Sequence, residues 1–217
     1  MERPGSRRTA TLPARGVPLT RRDYRRDPRE MARFLLGRAL IRSLADGTRL
    51  SGIIVETEAY LGVPDRAAHT FGGRRTARNE AMYADGGTAY VYFTYGMHHC
   101  FNVVCGRVDE PVAVLIRAVQ PIEGIEQMAR HRSVGRRAVV GESDLCSGPA
   151  RLCQALAIDR TLNGADLTRC DRLWIEEGMP ISGRRVASGP RVGVGYAGVW
   201  AARRLRFWVK GNPHVSR

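Results

Sequence analysis

Lysine is almost missing from this chain. Lys210 is the only one among 35 basic residues, so any chemistry that needs a side-chain amine has one candidate. Acidic residues are also scarce, 21 against those 35, which leaves a net charge of +14 over 217 residues. Long apolar runs are missing too. Stretches such as Val112 to Ile116 are far too short to span a bilayer, and the opening residues lack the apolar region of a secretory leader. We therefore expect a cytoplasmic protein with no membrane partner. The five cysteines form no C-x-x-C pair and no zinc spacing, and the histidines make no H-E-x-x-H, so no metal site or other cofactor is expected. Internal repeats and linkers are absent as well.

What remains is a folded basic chain, 43% hydrophobic. Its charge points to a polyanion without choosing one. Residues 1–16, rich in Arg, Pro and Gly, read as a mobile basic arm, and residues 17–217 as one domain. Asp27 followed by Pro28 signals a helix start, with Met31, Phe34 and Leu35 on one face. Strands are expected over Leu50–Tyr60, Thr88–Phe93, Cys100–Cys105, Pro111–Ala118 and Arg206–Lys210. Helices are expected over Pro121–His131 and from Ser147 through Ile158. Strands and helices do not alternate regularly. This favours an α+β domain with a central, mostly antiparallel sheet, surrounding helices and a protruding β-hairpin.

Three segments carry candidate chemistry. In the strand over Ile53–Tyr60, alternation puts Glu56, Glu58 and Tyr60 on one face. That face is either a solvated strand edge or a pocket lining. Tyr90 and Tyr92 share a face of the next strand, and Tyr95-Gly96 reads as the turn after it. Tyr95 either folds back on the core or acts as a wedge between base pairs. Between them, His69 to Asn79 is a glycine-rich basic loop suited to phosphates. Gly193, Gly195 and Gly198 spell G-x-G-x-x-G, but no acidic residue follows them and the remaining 19 residues are too few for a dinucleotide-binding unit.

Read together, V-E-T-E-A-Y-L-G from Val55, then A-A-H, G-G-R, R-N, G-T-A-Y-V-Y, Y-G-M, Asn102, L-I-R-A, C-S-G-P-A-R-L-C-Q-A-L and P-R-V-G-V-G-Y-A-G, resemble the alkyladenine (3-methyladenine) DNA glycosylase family. The resemblance runs in order over roughly residues 17 to 217. It implies a monomeric base-excision enzyme acting on duplex DNA that holds damaged purines. Glu58 would be the general base, with Arg117 and the backbone carbonyl of Val192 completing the water site and Arg117 favouring the ionised carboxylate. Tyr60, His69 and Tyr92 would enclose the extruded base, and Asn102 would help exclude normal guanine. Tyr95 would fill the gap in the duplex, beside Met97. Arg74, Thr76, Arg78, Met82 and Arg132 would contact the DNA. Glu56 reads as structural. With Lys210 remote from these segments, the expected chemistry is monofunctional hydrolysis. Two other readings stay open at this level: a non-enzymatic nucleic-acid module and an enzyme acting on free nucleotides.

Overall fold

The Asp27–Pro28 pair starts a helix for the expected reasons. The Asp27 carboxylate accepts the Arg29 N–H at 2.8 Å, and Pro28 occupies the first helical position, where no N–H is needed. The computed structural model describes residues 16–94, 96–135 and 139–216. It places a short α1 at Arg21–Tyr24 and this helix, α2, at Pro28–Leu35. Met31, Ala32 and Leu35 are fully buried on the face that α2 lays against the sheet.

The strands are β1 (Ala39–Ser43), β2 (Arg49–Tyr60), β3 (Ala89–Thr94), β4 (His98–Val104), β5 (Ala113–Glu123), β6 (Leu173–Glu176), β7 (Val186–Gly189) and β8 (Arg206–Val209). Among the described residues they form one antiparallel eight-stranded sheet. The order is β3-β4-β5-β2-β1-β6, with β8 on β2 and β7 on β8. Helices α3 (Ile125–Ser133) and α4 (Pro149–Ala155) pack on each other, and α4 covers β4 and β5. This is the expected α+β class, with β3 and β4 as the hairpin at the sheet's edge. No helix of the described residues is long and apolar enough to cross a membrane.

β2 is the strand that matters. One edge pairs with β5 along most of its length. The other pairs first with β1, up to Ile53, and then with β8 from Glu56 to Glu58. This change of partner keeps the C-terminal half of β2 central, so Glu56 and Glu58 are fully buried and the solvated-edge reading is overturned. The β2–β5 register slips between Ile54 and Glu56 and slips back before Thr57, and Arg117 falls at that irregularity. Bulges of this kind re-aim a side chain.

Three element boundaries differ from expectation. The strand expected to end at Ala118 runs on to Glu123, and α3 starts only at Ile125. Pro121 is tolerated in β5 because it sits opposite Gly52, beside another register slip. Gly124, at φ 74°, makes the turn between strand and helix, where a Cβ would come within 2.4 Å of Leu50. The helix expected from Ser147 is confined to Pro149–Ala155. β1, β6 and β7 had no expected range. Residues 1–15 of the expected arm lie outside the described residues.

Candidate active site

A cavity of about 390 Å³ opens on the sheet. Strand geometry explains its lining, because residues two apart share a face. β2 gives Glu58 and Tyr60, β3 gives Tyr90 and Tyr92, β4 gives Cys100 and Asn102, and β5 gives Leu115 and Arg117. Register then aligns Tyr90, Asn102, Leu115 and Glu58 as one row across four strands. His69 comes from the loop after β2, and Val192 to Val194 from the loop after β7.

Glu58 lies at the buried end of this row. Its Oε1 accepts the Val192 N–H at 2.8 Å and lies 3.2 Å from the Arg117 guanidinium, while Oε2 accepts the Tyr60 hydroxyl at 3.0 Å. Burial pushes the Glu58 carboxyl above the usual carboxylate range. Arg117, the Val192 N–H and Tyr60 oppose that rise, and Glu56 adds to it. The expected pull of Arg117 towards the ionised form is present, but desolvation outweighs it. The bond from Val192 to Glu58 is made by its N–H, a contact distinct from the one expected of its carbonyl towards the water.

Behind Glu58, Arg117 is shared. Its Nε donates to Glu56 Oε1 at 2.8 Å and its Nη2 to the Ser216 hydroxyl at 3.2 Å. Burial works against the Arg117 charge, yet Glu58 and Glu56 hold it firmly protonated. Glu56 accepts further bonds from Arg206 Nε at 2.6 Å, the Ser216 hydroxyl at 2.9 Å and the Ser216 N–H at 2.7 Å.

The aromatic wall has three rings. His69 Nδ1 lies 2.7 Å from the Tyr90 hydroxyl, and its ring stands edge-on to Tyr92 with centroids 4.6 Å apart. Tyr90 and Tyr92 are themselves 5.3 Å apart. Poor solvation in the cavity wall, with Arg78 and Arg74 nearby, lowers the His69 pKa to about 4, so its imidazole is neutral near pH 7. Asn102 is buried and donates to the Tyr90 carbonyl at 3.2 Å.

The residues expected at the DNA surface divide. Arg74, Thr76 and Arg78 lie on an exposed loop that Asn79 braces by accepting the Thr76 N–H and donating to the His69 and Arg74 carbonyls. Arg78 also donates to the Phe93 carbonyl and lies 5.7 Å from the Tyr92 ring centre. Met97 is 70% exposed at the hairpin turn, where Gly96 has φ 68°. Tyr95 lies outside the described residues. Two placements are corrected. Met82 is packed with Tyr83, Tyr90 and Val104, and its remaining surface lines the cavity. Arg132 is 2% exposed in α3 and donates to Gln154 of α4. Neither is open to a DNA phosphate.

Several site residues went unforeseen. Arg191 and Asp65 form a buried bidentate pair at 2.6 and 2.8 Å, and Arg191 also donates to the Ala59 carbonyl and stacks 4.7 Å from the Tyr60 ring centre. This pair ties the loop after β2 to the loop carrying Val192. With 126 positions between the partners, no local spacing signals it. The clamp on Glu56 by Ser216 was equally invisible. Tyr90 was placed on the right strand face, but its bond to His69 was not anticipated. The glycine run at 193–198 leads into a 3₁₀ turn over Gly195–Trp200 at the cavity rim, not into a dinucleotide-binding helix.

The chain as a whole is similar to known proteins. The family described as Methylpurine-DNA glycosylase (MPG) matches residues 22–213. A mouse DNA-3-methyladenine glycosylase is 48% identical over 193 residues, covering 86% of this chain and 57% of the relative. The human DNA-3-methyladenine glycosylase is 47% identical over 191 residues, covering 86% and 63%. A putative 3-methyladenine DNA glycosylase of Methanocella arvoryzae is 45% identical over 202 residues, covering 93% and 97%. The chain thus spans about three fifths of the length of these mammalian relatives and nearly all of the archaeal one. Its likeness is to proteins named for action on methylated purines in DNA. The chain belongs to the Methylpurine-DNA glycosylase family.

Proposed function

We propose that this chain is a monofunctional DNA glycosylase that removes alkylated or deaminated purines from duplex DNA and leaves an abasic site. The observation that carries the reading is Glu58: a buried carboxylate at the end of an aromatic cavity, aimed by Arg117, Tyr60 and the Val192 N–H.

A base inside a duplex is out of reach, so the damaged nucleotide leaves the stack and enters the cavity. Tyr95 and Met97 fill the gap that it leaves. The rings of Tyr60, His69 and Tyr92 enclose the purine, and their electron-rich faces favour alkylated, cationic bases. Asn102 discriminates against the amino group of normal guanine. Ionised Glu58 takes a proton from water as its oxygen attacks the sugar C1′, and the negative charge steadies the oxocarbenium-like transition state. The base departs with the bonding electrons. Arg74, Thr76 and Arg78 grip the backbone. The Lys210 ammonium is engaged with the Arg184 carbonyl on an exposed turn, away from this lining, so hydrolysis rather than Schiff-base chemistry follows. The enzyme acts as a monomer and needs no cofactor.

The test is single-turnover excision from duplexes carrying one ethenoadenine, hypoxanthine or 7-methylguanine, read as alkali-labile sites. Wild type is expected to cleave at least one of them. Glu58→Gln is expected to lose about 10²–10⁴-fold in rate while still binding DNA. No excision of any lesion by wild type would overturn the reading. So would strand nicking before alkali, accompanied by a borohydride-trapped adduct.

A further inference from the structure

Glu56 has no part in the reaction proposed above, yet its two oxygens accept four hydrogen bonds. It is fully buried, one strand-face step from Glu58, and takes bonds from Arg117, Arg206 and both the hydroxyl and N–H of Ser216. Arg206 also donates to the Ser216 carbonyl at 3.2 Å, which closes the ring of contacts. Arg117 therefore meets two carboxylates from opposite sides, Nε on Glu56 and Nη1 on Glu58.

We propose that Glu56 is the positioning residue of this site: clamped by Arg206 and Ser216, it fixes the Arg117 guanidinium against Glu58 and sets how much positive charge Glu58 receives. The proposal rests on Glu58 being the base. Its logic is a charge balance. Two carboxylates and two guanidiniums occupy one buried patch, and Arg206 neutralises the charge of Glu56 that would otherwise draw on Arg117. Other groups in electrostatic reach of Glu58 are Tyr60 on β2, Tyr92 on β3, Cys100 on β4 and Arg191 from the loop after β7. None of them is bonded to Glu56, so changes at Glu56 reach Glu58 through the shared guanidinium and through the direct repulsion between the two carboxylates, and both act in the same direction.

Opposite substitutions should therefore move the Glu58 proton in opposite directions. Glu56→Gln leaves Arg117 to Glu58 alone and lowers the Glu58 titration midpoint by about one pH unit. Arg206→Gln frees the charge of Glu56 and raises it by a similar amount. Simple loosening of the fold would admit water and lower the midpoint in both variants.

The experiment is carbon-detected NMR of the side-chain carboxyls in the free protein, with Glu58 assigned through Glu58→Gln, followed by excision against pH. Opposed midpoints, mirrored in the acid limb of excision, support the proposal. Below that limb, a one-unit shift reads as about a tenfold rate change. If Glu56→Gln does not fold, Arg206→Gln and Ser216→Ala still decide, since a midpoint unmoved or lowered in Arg206→Gln overturns the proposal. Opposed NMR midpoints in a protein that excises nothing would leave the charge coupling of Glu56 to Glu58 standing and remove the glycosylase reading on which its positioning role rests. Excision with an unmoved midpoint would do the reverse.

Discussion

Two buried arginine–carboxylate arrays lie a few residues apart and are built to different ends. Asp65 and Arg191 are matched one to one: both side chains are fully enclosed, both oxygens are occupied, and the carboxylate also accepts the Leu61 and Ala67 N–H groups. Burial pushes Asp65 up, but Arg191 and those N–H groups hold it below the usual range. Glu58 has to share its arginine with Glu56 and faces a cavity, and its pKa is displaced upward. A carboxylate with an arginine of its own is structural. One given only part of an arginine, and room for a reactant, is the one proposed above for proton transfer.

The largest expected effect tests the closed half of that contrast. Arg191→Ala strands Asp65 without its cation and should cost about 3–5 kcal/mol of stability, read from urea denaturation. The sign of the pH dependence is fixed by the lowered Asp65 pKa. Its contribution is present above the unfolded value, near pH 4, and disappears as pH falls through the folded one. The gap between wild type and variant should therefore narrow in acid. A gap below about 1 kcal/mol at neutral pH would mean that the two arrays do not differ in kind.

Glu58 should behave with the opposite sign. Its raised pKa means that ionisation costs stability in the folded state. That cost is absent below the unfolded pKa and grows as pH rises through the folded one. Glu58→Gln is expected to gain about 0.5–2 kcal/mol at pH 8, with the gain shrinking in acid, while excision collapses. Loss of stability on this substitution would place Glu58 with Asp65 as a structural carboxylate.

The same division between enclosed and available charge applies to the arginines proposed to meet DNA. Arg74 and Arg78 lie on an exposed loop, whereas Arg132 is enclosed and bonded to Gln154. Plotting log affinity for duplex DNA against log salt, Arg74→Ala and Arg78→Ala should each flatten the slope by about one. Arg132→Gln should leave it unchanged. A flattened slope for Arg132→Gln would show that α3 opens on binding.

How much of this could be read from the chain follows the range of each interaction. The period-two face of Glu56, Glu58 and Tyr60, and that of Tyr90 and Tyr92, are local and were legible, as was the Asp27–Pro28 helix start. That β2 exchanges β1 for β8 was not, because strand partnership depends on segments some 150 positions apart, as in Glu56 with Trp208. The burial of both carboxylates followed from that exchange and was missed with it. Arg132 and Met82 carry the residue types of a DNA surface, and only packing against α4 and against Tyr83 and Tyr90 turns them inward. The direction of the Glu58 shift needed the depth of its burial, which no spacing records.

The smallest effect expected is also the one that assigns the acid limb of excision. Of the groups lining the cavity proposed to take the base, Glu58 and His69 are the carboxyl and the imidazole, and either could shape an acid limb. His69 is bonded to the Tyr90 hydroxyl in a poorly solvated wall beside Arg78 and Arg74, and its pKa is lowered to about 4. Its ring proton resonances should thus stay flat from pH 8 to pH 5 and move only near pH 4. His69→Asn should weaken the hold on the base without displacing the limb, whereas Glu56→Gln should displace it. If the His69 resonances titrated near pH 6.5 and His69→Asn shifted the limb, proton uptake by the wall would govern the profile. The contrast between a shared and an unshared arginine would then lose its bearing on catalysis.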